Sequence, residues 1–198
     1  MLKRILLGVL MFGTVAAAQT SSARQYPIDV NHSTVGFSVP IMNGLSKVTG
    51  KFTDFSVTLI NDEKDIRKST VSVMIKTASI NTGITARDNH LRTADFFDAE
   101  KYPEITFKSS SIVKKGKQLI AVGQFTMHGV SKEISLPFTI LGPTKNATGD
   151  KMNLGYATRI TLNRRDFAIN WEHKTAPGWV GDNVEVELEL ITKAIDVK

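Results

Sequence analysis

Hydrophobic and polar residues alternate with a period of two along most of the chain. No stretch longer than about ten residues keeps the 3.6-residue period of an amphipathic helix. The clearest alternation lies in 183–192, where valine and leucine occupy the even positions from 184 to 190 and glutamate occupies 185, 187 and 189. Such alternation is typical of strands with one buried face. The sequence therefore predicts an all-β protein.

The alternating segments predict eight strands and one short helix. The strands cover residues 33–39, 47–60, 70–80, 104–113, 118–128, 132–141, 155–164 and 183–192. The phase of the alternation flips near Thr53 and Asp54, so a bulge or bend is expected inside the second strand. The helix is predicted at 86–93, in the connection after the third strand.

Short turns join several of the predicted strands. Lys115-Gly116 and His128-Gly129 are typical of tight hairpins, which favours strands that are neighbours in both sequence and space. Eight such strands predict a closed antiparallel barrel, which has no exposed sheet edge. A two-layer sandwich is the structural alternative, because strand count alone does not separate the two folds. An outer-membrane barrel would also alternate in this way, but few aromatic residues lie at the strand ends.

Connections in an antiparallel meander alternate between the two ends of the barrel. One end, here called the upper end, is expected to contain 40–46, 81–103, 129–131 and 165–182. The lower end is expected to contain 61–69, 114–117 and 142–154. The first long connection (81–103) and the second long connection (165–182) are near twenty residues each, a length that is usually functional when the loop is ordered. This placement brings His90, His128 and His173 to the upper end.

The first eighteen residues have the layout of a secretory signal peptide. Lys3 and Arg4 precede an apolar run of about eleven residues, and residues 16–18 are all alanine. Because the run is too short to cross a membrane, cleavage after Ala18 and export of residues 19–198 as one barrel domain are predicted. Loss of Lys3 and Arg4 would lower the formal net charge from +6 to +4. This mild excess gives no support to a nucleic-acid partner.

The absence of cysteine from the 198 residues excludes disulfides, thiolate nucleophiles and cysteine-based zinc sites. The chain also lacks nucleotide-binding glycine motifs and the serine elbow of hydrolases, and no metal or cofactor is predicted. His90 and Asp88 could form an acid–base pair, or half of a metal site completed by His128 or His173. Alternatively, Arg87, Asp88 and His90 could hydrogen-bond the backbone of their own loop and hold it on the barrel rim.

Three sequence motifs stand in order along the chain. The first contains Arg87-Asp88-Asn89-His90-Leu91-Arg92, Asp95-Phe96-Phe97-Asp98 and Lys101-Tyr102-Pro103; the second is 123–132 and the third is 162–167. Together with the opening Tyr26-Pro27-Ile28-Asp29, they give a chain that resembles the YceI-like family over about residues 26–192. The chain departs from the family pattern at Phe125, where leucine is usual, and at Ala168, where glycine is usual.

The resemblance implies a lipocalin-like antiparallel barrel in the periplasm. Proteins of this family hold an amphiphile such as a polyisoprenoid, an isoprenoid quinone or a fatty-acid derivative, and the resemblance transfers no catalytic residue. It also implies a possible homodimer and an association with stress responses. The leading hypothesis is therefore a binding or carrier protein and not an enzyme. The alternatives are an enzyme that uses His90 and Asp88 on a lipid-like substrate, and a structural or partner-binding barrel with a filled interior.

The inward phase of the predicted strands supplies an apolar lining, and an eight-stranded barrel has room inside for packed side chains or one small ligand. The predicted lining residues are Phe37, Phe52, Val73, Ile75, Phe107, Ala121, Phe125, Leu136, Phe138, Ile160 and Leu188. No charge is expected among them. The predicted ligand contacts are Phe37, Phe107, Phe125, Leu136 and Phe138 from this lining, with Arg87, Asp88, His90, Arg92, Trp171 and Trp179 at the upper end.

Overall fold

The computed structural model describes residues 23–196, which form a curled β-sheet with one α-helix. The strands are β1 (Ala23–Tyr26), β2 (Thr34–Ile41), β3 (Ser46–Phe52), β4 (Phe55–Asp62), β5 (Thr70–Lys76), β6 (Ile80–Asn81), β7 (Glu104–Lys115), β8 (Gln118–Met127), β9 (Val130–Lys145), β10 (Met152–Asn163) and β11 (Asn183–Ile191). Helix α1 spans Thr85–Arg92, and short 3-10 helices lie at Val30–His32, Met42–Gly44, Ile66–Lys68, Thr77–Ser79 and Arg164–Phe167. The predicted signal peptide, residues 1–18, lies outside the described residues and stays a prediction.

The strands form one antiparallel sheet in the order β1-β4-β5-β7-β8-β9-β10-β11-β2-β3-β6. Strands β4 and β3 are second and tenth in this order, yet only Thr53 and Asp54 separate them in the chain. The sheet therefore curls to bring these two strands close together. Phe52 of β3 pairs with Ile80 of β6, while β4 pairs with β5. The all-β class, the antiparallel sheet and the single helix after the third predicted strand are confirmed.

The predicted count of eight strands is wrong, since the described residues contain eleven. The second predicted strand divides into β3 and β4 at Thr53 and Asp54, where the phase of the alternation flips. The third is interrupted by a 3-10 helix whose buried Thr77 hydroxyl donates to the Tyr102 carbonyl oxygen at 2.8 Å. Strand β1 has only four residues, too few for a period of two to reveal. Helix α1 begins and ends one residue earlier than predicted.

Both predicted hairpin turns are present. Lys115 pairs with Gln118 across the β7–β8 turn, and Met127 pairs with Val130 across the β8–β9 turn. In the β8–β9 turn, His128 and Gly129 both have positive φ, 51° and 76°, as in the type I′ turns whose twist suits a two-residue hairpin. Glycine at 129 has a second cause: a Cβ there would lie 2.6 Å from a ring carbon of Tyr102.

The upper end contains the connections that the meander predicts there. The Met42 N–H donates to the Trp179 carbonyl oxygen at 2.7 Å, which joins the β2–β3 connection to the second long connection. The Trp171 ring packs against Phe96 of the first long connection with centroids 5.1 Å apart. His128 Nδ1 in the β8–β9 turn lies 3.0 Å from a carbonyl oxygen of the second long connection. These contacts confirm the predicted placement.

Candidate ligand-binding site

Two adjoining cavities occupy the interior of the curled sheet. The larger has a volume of about 160 Å³ and is bordered by residues of both long connections, so it lies toward the upper end. The smaller has a volume of about 70 Å³ and is bordered by residues of the β4–β5 connection, at the lower end. Val73, Phe107, Leu136 and Leu188 line both cavities and therefore form the boundary between them.

All of the predicted lining residues border one cavity or both. Phe37, Phe52, Ile75, Phe125 and Ile160 line the larger cavity, Ala121 and Phe138 line the smaller one, and Val73, Phe107, Leu136 and Leu188 line both. The side chains do not fill the interior completely, so the alternative of a fully packed barrel is wrong. That Phe37, Phe107, Phe125, Leu136 and Phe138 contact a ligand stays a prediction.

Phenylalanine rings set the shape of the larger cavity. Phe37 and Phe52 have ring centroids 5.8 Å apart, and Phe97 meets Phe52 edge-on at 6.0 Å. Phe37 pairs across the sheet with Gly50, where a Cβ would lie 2.5 Å from the Phe37 ring carbon Cζ. The glycine therefore lets this ring lie against β3, and a larger residue would push the ring toward the cavity.

Among the residues of 23–196 that line the larger cavity, Arg164 is the one charged residue, and it is 4% exposed. Its guanidinium donates to the carbonyl oxygens of Ile169 at 2.8 Å and Gly181 at 3.1 Å, and pairs with Asp182 at 2.9 Å. Burial lowers the pKa of Arg164 and the Asp182 carboxylate opposes this, but arginine remains protonated at neutral pH. The expectation of a lining without charge is therefore wrong at this position.

Arg87 and Arg92 hold the backbone of the first long connection. Arg87 donates from Nε to Thr82 Oγ1 at 2.7 Å and from Nη2 to the Thr82 carbonyl oxygen at 2.9 Å. Arg92 donates to the carbonyl oxygens of Ala78 at 2.7 Å and Ile80 at 2.8 Å. Neither arginine borders a cavity. The Arg87 contacts match the alternative in which Arg87, Asp88 and His90 fix their own loop on the rim, and Arg92 acts in the same way.

Asp88 is buried beside the start of α1 and accepts hydrogen bonds from Thr82. The Thr82 N–H donates to Asp88 Oδ1 at 2.8 Å, and the Thr82 hydroxyl donates to the same oxygen at 2.5 Å. Burial raises the pKa of Asp88, but the two Thr82 hydrogen bonds and the charges of Arg92 and Arg87 lower it more, so the net pKa lies below its ordinary value. Asp88 is therefore a carboxylate with a structural role at neutral pH.

His90 and Asp88, the alternative acid–base pair, hydrogen-bond to different residues. His90 Nε2 lies 2.8 Å from Asp95 Oδ2, and its ring meets Trp171 edge-on with centroids 5.6 Å apart. The Trp179 ring lies 5.8 Å from that of His173 and is 38% exposed.

Four aromatic residues of the upper end border neither cavity: His90, Trp171, His173 and Trp179. Three of the four histidines thus share one end. No group of three or more histidine, aspartate or glutamate side chains within residues 23–196 is placed to hold a metal ion.

One residue that borders the smaller cavity has a buried hydroxyl without a hydrogen-bond partner. Tyr156 is 9% exposed and lines this cavity, and its hydroxyl makes no hydrogen bond. Burial raises the pKa of Tyr156 far above its usual value, so the phenol is neutral. Asn61 and Ser69 border the same cavity, and the Ser69 hydroxyl lies 3.4 Å from Asn61 Oδ1.

The sequence analysis did not place Arg164 and Tyr156 on the interior wall, although one sequence pattern indicates both positions. The inward residues of β10 are Tyr156, Thr158, Ile160 and Leu162, and Arg164 follows at the same spacing. Extending the period of two along this strand, without restricting it to aliphatic residues and phenylalanine, would have placed both side chains on the interior wall.

The chain belongs to the YceI-like family. Residues 26–192 match the model of the YceI-like domain. Protein YceI of Escherichia coli is 35% identical over 170 residues, which cover 85% of this chain and 88% of that protein.

Two solved structures share the fold. The YCEI protein of Campylobacter jejuni superposes with a TM-score of 0.63 at 32% identity, over 78% of this chain and 87% of that one. A polyisoprenoid binding domain from Saccharophagus degradans superposes with a TM-score of 0.62 at 16% identity, over 86% of this chain and 98% of that one. Within residues 23–196, no helix has both the length and the hydropathy that a membrane span requires.

Proposed function

We propose that this protein binds a long-chain amphiphile inside its curled sheet and carries it in the periplasm. The ligand class is a polyisoprenoid, an isoprenoid quinone or a fatty-acid derivative. The observation that carries the proposal is the apolar interior, in which two cavities adjoin at Val73, Phe107, Leu136 and Leu188. The description of the Saccharophagus degradans domain as polyisoprenoid binding supports this ligand class.

Hydrocarbon burial is large enough to drive such binding. Each methylene-sized group contributes about 0.8 kcal/mol, so four isoprene units of five carbons contribute roughly 16 kcal/mol. Association costs about 4 to 15 kcal/mol. The tail would therefore supply the affinity, and the polar groups of the wall would select the head group.

The size of the cavities sets what a long chain must do to enter. An apolar cavity of roughly 150 Å³ holds a benzene-sized molecule, and the larger cavity here has a volume of about 160 Å³. A chain of several isoprene units would therefore occupy both cavities and displace the side chains between them. Phe107, which is 4% exposed, is the bulkiest of these.

The contacts at the upper end support binding over catalysis. His90 and Asp88 hydrogen-bond to different residues, and Arg87 and Arg92 use their donors on backbone carbonyl oxygens and on Thr82.

Export with cleavage after Ala18, a homodimer and a role in stress responses are further parts of the proposal that come from the sequence and the family. Amino-terminal sequencing of the protein released by osmotic shock tests the export.

The decisive experiment is organic extraction of the purified, exported protein, followed by mass spectrometry. We expect a long-chain compound from the wild type. Leu136→Trp should abolish its retention, because Leu136 borders both cavities. The matched control is Leu141→Trp, on the same strand at a side chain that is 54% exposed, which should retain the compound. Absence of any long-chain compound, with no uptake of added quinone or prenyl phosphate, would contradict the proposal.

A further inference from the structure

The β2–β3 connection and part of the second long connection meet at the upper end. The Met42 N–H donates to the Trp179 carbonyl oxygen at 2.7 Å, so the two backbones are joined directly. Residues 40–47 and 173–181, here called the loop pair, therefore form one connected surface. Val180 of the loop pair also lines the larger cavity, which places this surface beside the cavity wall.

The loop pair exposes three large apolar side chains. Leu45 is 81% exposed, and Met42 and Trp179 are each 38% exposed. The Leu45 N–H donates to the Met42 carbonyl oxygen at 3.2 Å, so these two residues belong to one turn. Single exposed apolar residues are normal, whereas a group of them on one connected surface indicates contact with a protein or a membrane.

The backbone of this turn is unfavourable for the methionine that it carries. Met42 has φ of 56°, in the left-handed region that glycine adopts more easily than a residue with a Cβ. Because the Met42 side chain remains more than a third exposed, packing within the protein offsets this cost only in part. A contact outside the chain would explain why methionine occupies the position.

The loop pair is positively charged. It contains Lys47 and Lys174 and no aspartate or glutamate. The acidic residues that flank its second loop, Glu172 and Asp182, pair with Arg165. Among the described residues, neither lysine has an ion-pair partner. Both ammonium groups are therefore available to an anionic partner.

A lipid surface with negative charge fits this combination of side chains. Apolar groups enter the boundary between head groups and acyl chains, tryptophan is favoured there, and lysine is attracted to anionic head groups. A second copy bound through the same loops would bring like charges together. A nucleic acid would match the charge but leave the apolar side chains in water.

We propose that the loop pair docks on the surface of an anionic membrane, and that this contact places the larger cavity next to the lipid. Leu45, Met42 and Trp179 enter the head-group region, while Lys47 and Lys174 contact lipid phosphates. The inference goes beyond the proposed binding function, because docking does not require a ligand in the interior.

Co-sedimentation of the purified, exported protein with lipid vesicles tests the charge. Vesicles of phosphatidylglycerol and phosphatidylcholine in equal amounts should bind about 25-fold more tightly than phosphatidylcholine alone, because each of two lysines contributes about fivefold. Lys47→Gln combined with Lys174→Gln should remove this preference. Lys114→Gln combined with Lys115→Gln, at exposed positions of the lower end, is the charge-matched control and should keep it.

Leu45→Ser tests the apolar contact. It should weaken binding to the mixed vesicles about tenfold or more, the effect of leaving one leucine side chain in water. Leu141→Ser is the matched control, because Leu141 is 54% exposed but lies on β9 outside the loop pair. It should leave vesicle binding unchanged. Both variants should unfold at nearly the temperature of the wild type.

A fluorescent label gives a measurement that does not depend on loss of binding. Because the chain has no cysteine, Leu45→Cys and Leu141→Cys each create one site for an environment-sensitive dye. On the mixed vesicles, the emission of the dye at position 45 should shift to shorter wavelength, and the emission of the dye at position 141 should not.

Four results would overturn the inference: no binding of the wild type to the mixed vesicles, equal effects of Leu45→Ser and Leu141→Ser, an unshifted dye at position 45, or a wild-type dimer that Leu45→Ser dissociates. Analytical ultracentrifugation without lipid measures the last, which would assign the loop pair to a second copy. If docking fails while organic extraction yields a long-chain compound, the proposed function stands. If docking succeeds and extraction yields none, the proposed function fails alone.

Discussion

The two ends of the curled sheet treat their polar side chains in opposite ways. At the upper end, Arg87, Arg92 and Arg164 direct their donors to backbone carbonyl oxygens. At the lower end, the buried Tyr156 hydroxyl has no hydrogen-bond partner. The difference teaches that abundance of charge does not mark a ligand-binding site.

Replacing Arg164 should have the largest effect on stability. Arg164→Met leaves the carbonyl oxygens of Ile169 and Gly181 without a buried donor, and should lower the free energy of unfolding by about 3–5 kcal/mol. Urea denaturation at neutral pH measures the change. Arg165→Met is the control: Arg165 contacts Glu172 and Asp182 at the surface, so its loss should be much smaller. Equal losses would remove Arg164 from the set of side chains that hold the upper end.

Two glycines with similar φ compare the backbone at the two ends. Gly129→Ala at the upper end should cost about 2–4 kcal/mol, because the new Cβ meets the Tyr102 ring and φ is 76°. Gly149→Ala in the β9–β10 connection, with φ of 79° and open space around the Cβ, should cost about 1 kcal/mol. Thermal unfolding of the pair isolates the Tyr102 contact. Equal costs would show that this contact contributes nothing.

Acid should weaken the first long connection through Asp88. Because the pKa of Asp88 is lower in the folded protein than in the unfolded chain, its stabilisation is present above the unfolded value of about 4 and is lost as the pH falls through the folded value. Asp88→Asn should therefore cost about 1 kcal/mol at pH 7 and less at pH 3, which lies below the unfolded value. Urea titrations at the two pH values measure this. A cost that stays constant with pH would mean that the carboxylate charge is irrelevant.

The smallest expected effect is a gain in stability at Ala168. Ala168 has φ of 58° in the turn after the 3-10 helix Arg164–Phe167, a conformation that is unfavourable for alanine. Ala168→Gly should raise the free energy of unfolding by about 0.5–1 kcal/mol. Ala147→Gly, at an exposed position with no positive φ, is the control and should not be stabilising. A lower free energy of unfolding for Ala168→Gly would show that packing of the Ala168 methyl group stabilises the protein more than its positive φ destabilises it.

The interior wall was the most predictable part of the site. A strand of period two must bury one phase, so residues such as Phe107 and Leu136 could be placed inside without knowing how the sheet closes. The upper end followed from counting antiparallel connections. The split of the second predicted strand was visible as a change of phase at Thr53 and Asp54.

The sequence left the roles of the polar residues open between ligand contact and support of their own loop, and it did not identify their partners. Arg92 reaches the carbonyl oxygens of Ala78 and Ile80, more than ten positions away, because α1 folds back on β6. The spacing of residues in the sequence does not show that α1 packs against β6. The same argument applies to Tyr156, whose buried hydroxyl has no hydrogen-bond partner. Whether a buried hydroxyl is paired depends on the packing of its neighbours, which no local pattern encodes.

Strand β10 carries Tyr156 toward one end of the interior and Arg164 just beyond its other end. The eight residue steps between them span about 26 Å. The length of this strand would therefore limit how long a tail the interior can enclose. A tail that begins at the level of Tyr156 would stay entirely enclosed if its extended chain were shorter than this distance, and a longer homologue would protrude between the aromatic side chains of the two long connections. Chain length, and not only head-group chemistry, would then decide which lipids the protein can shield from water.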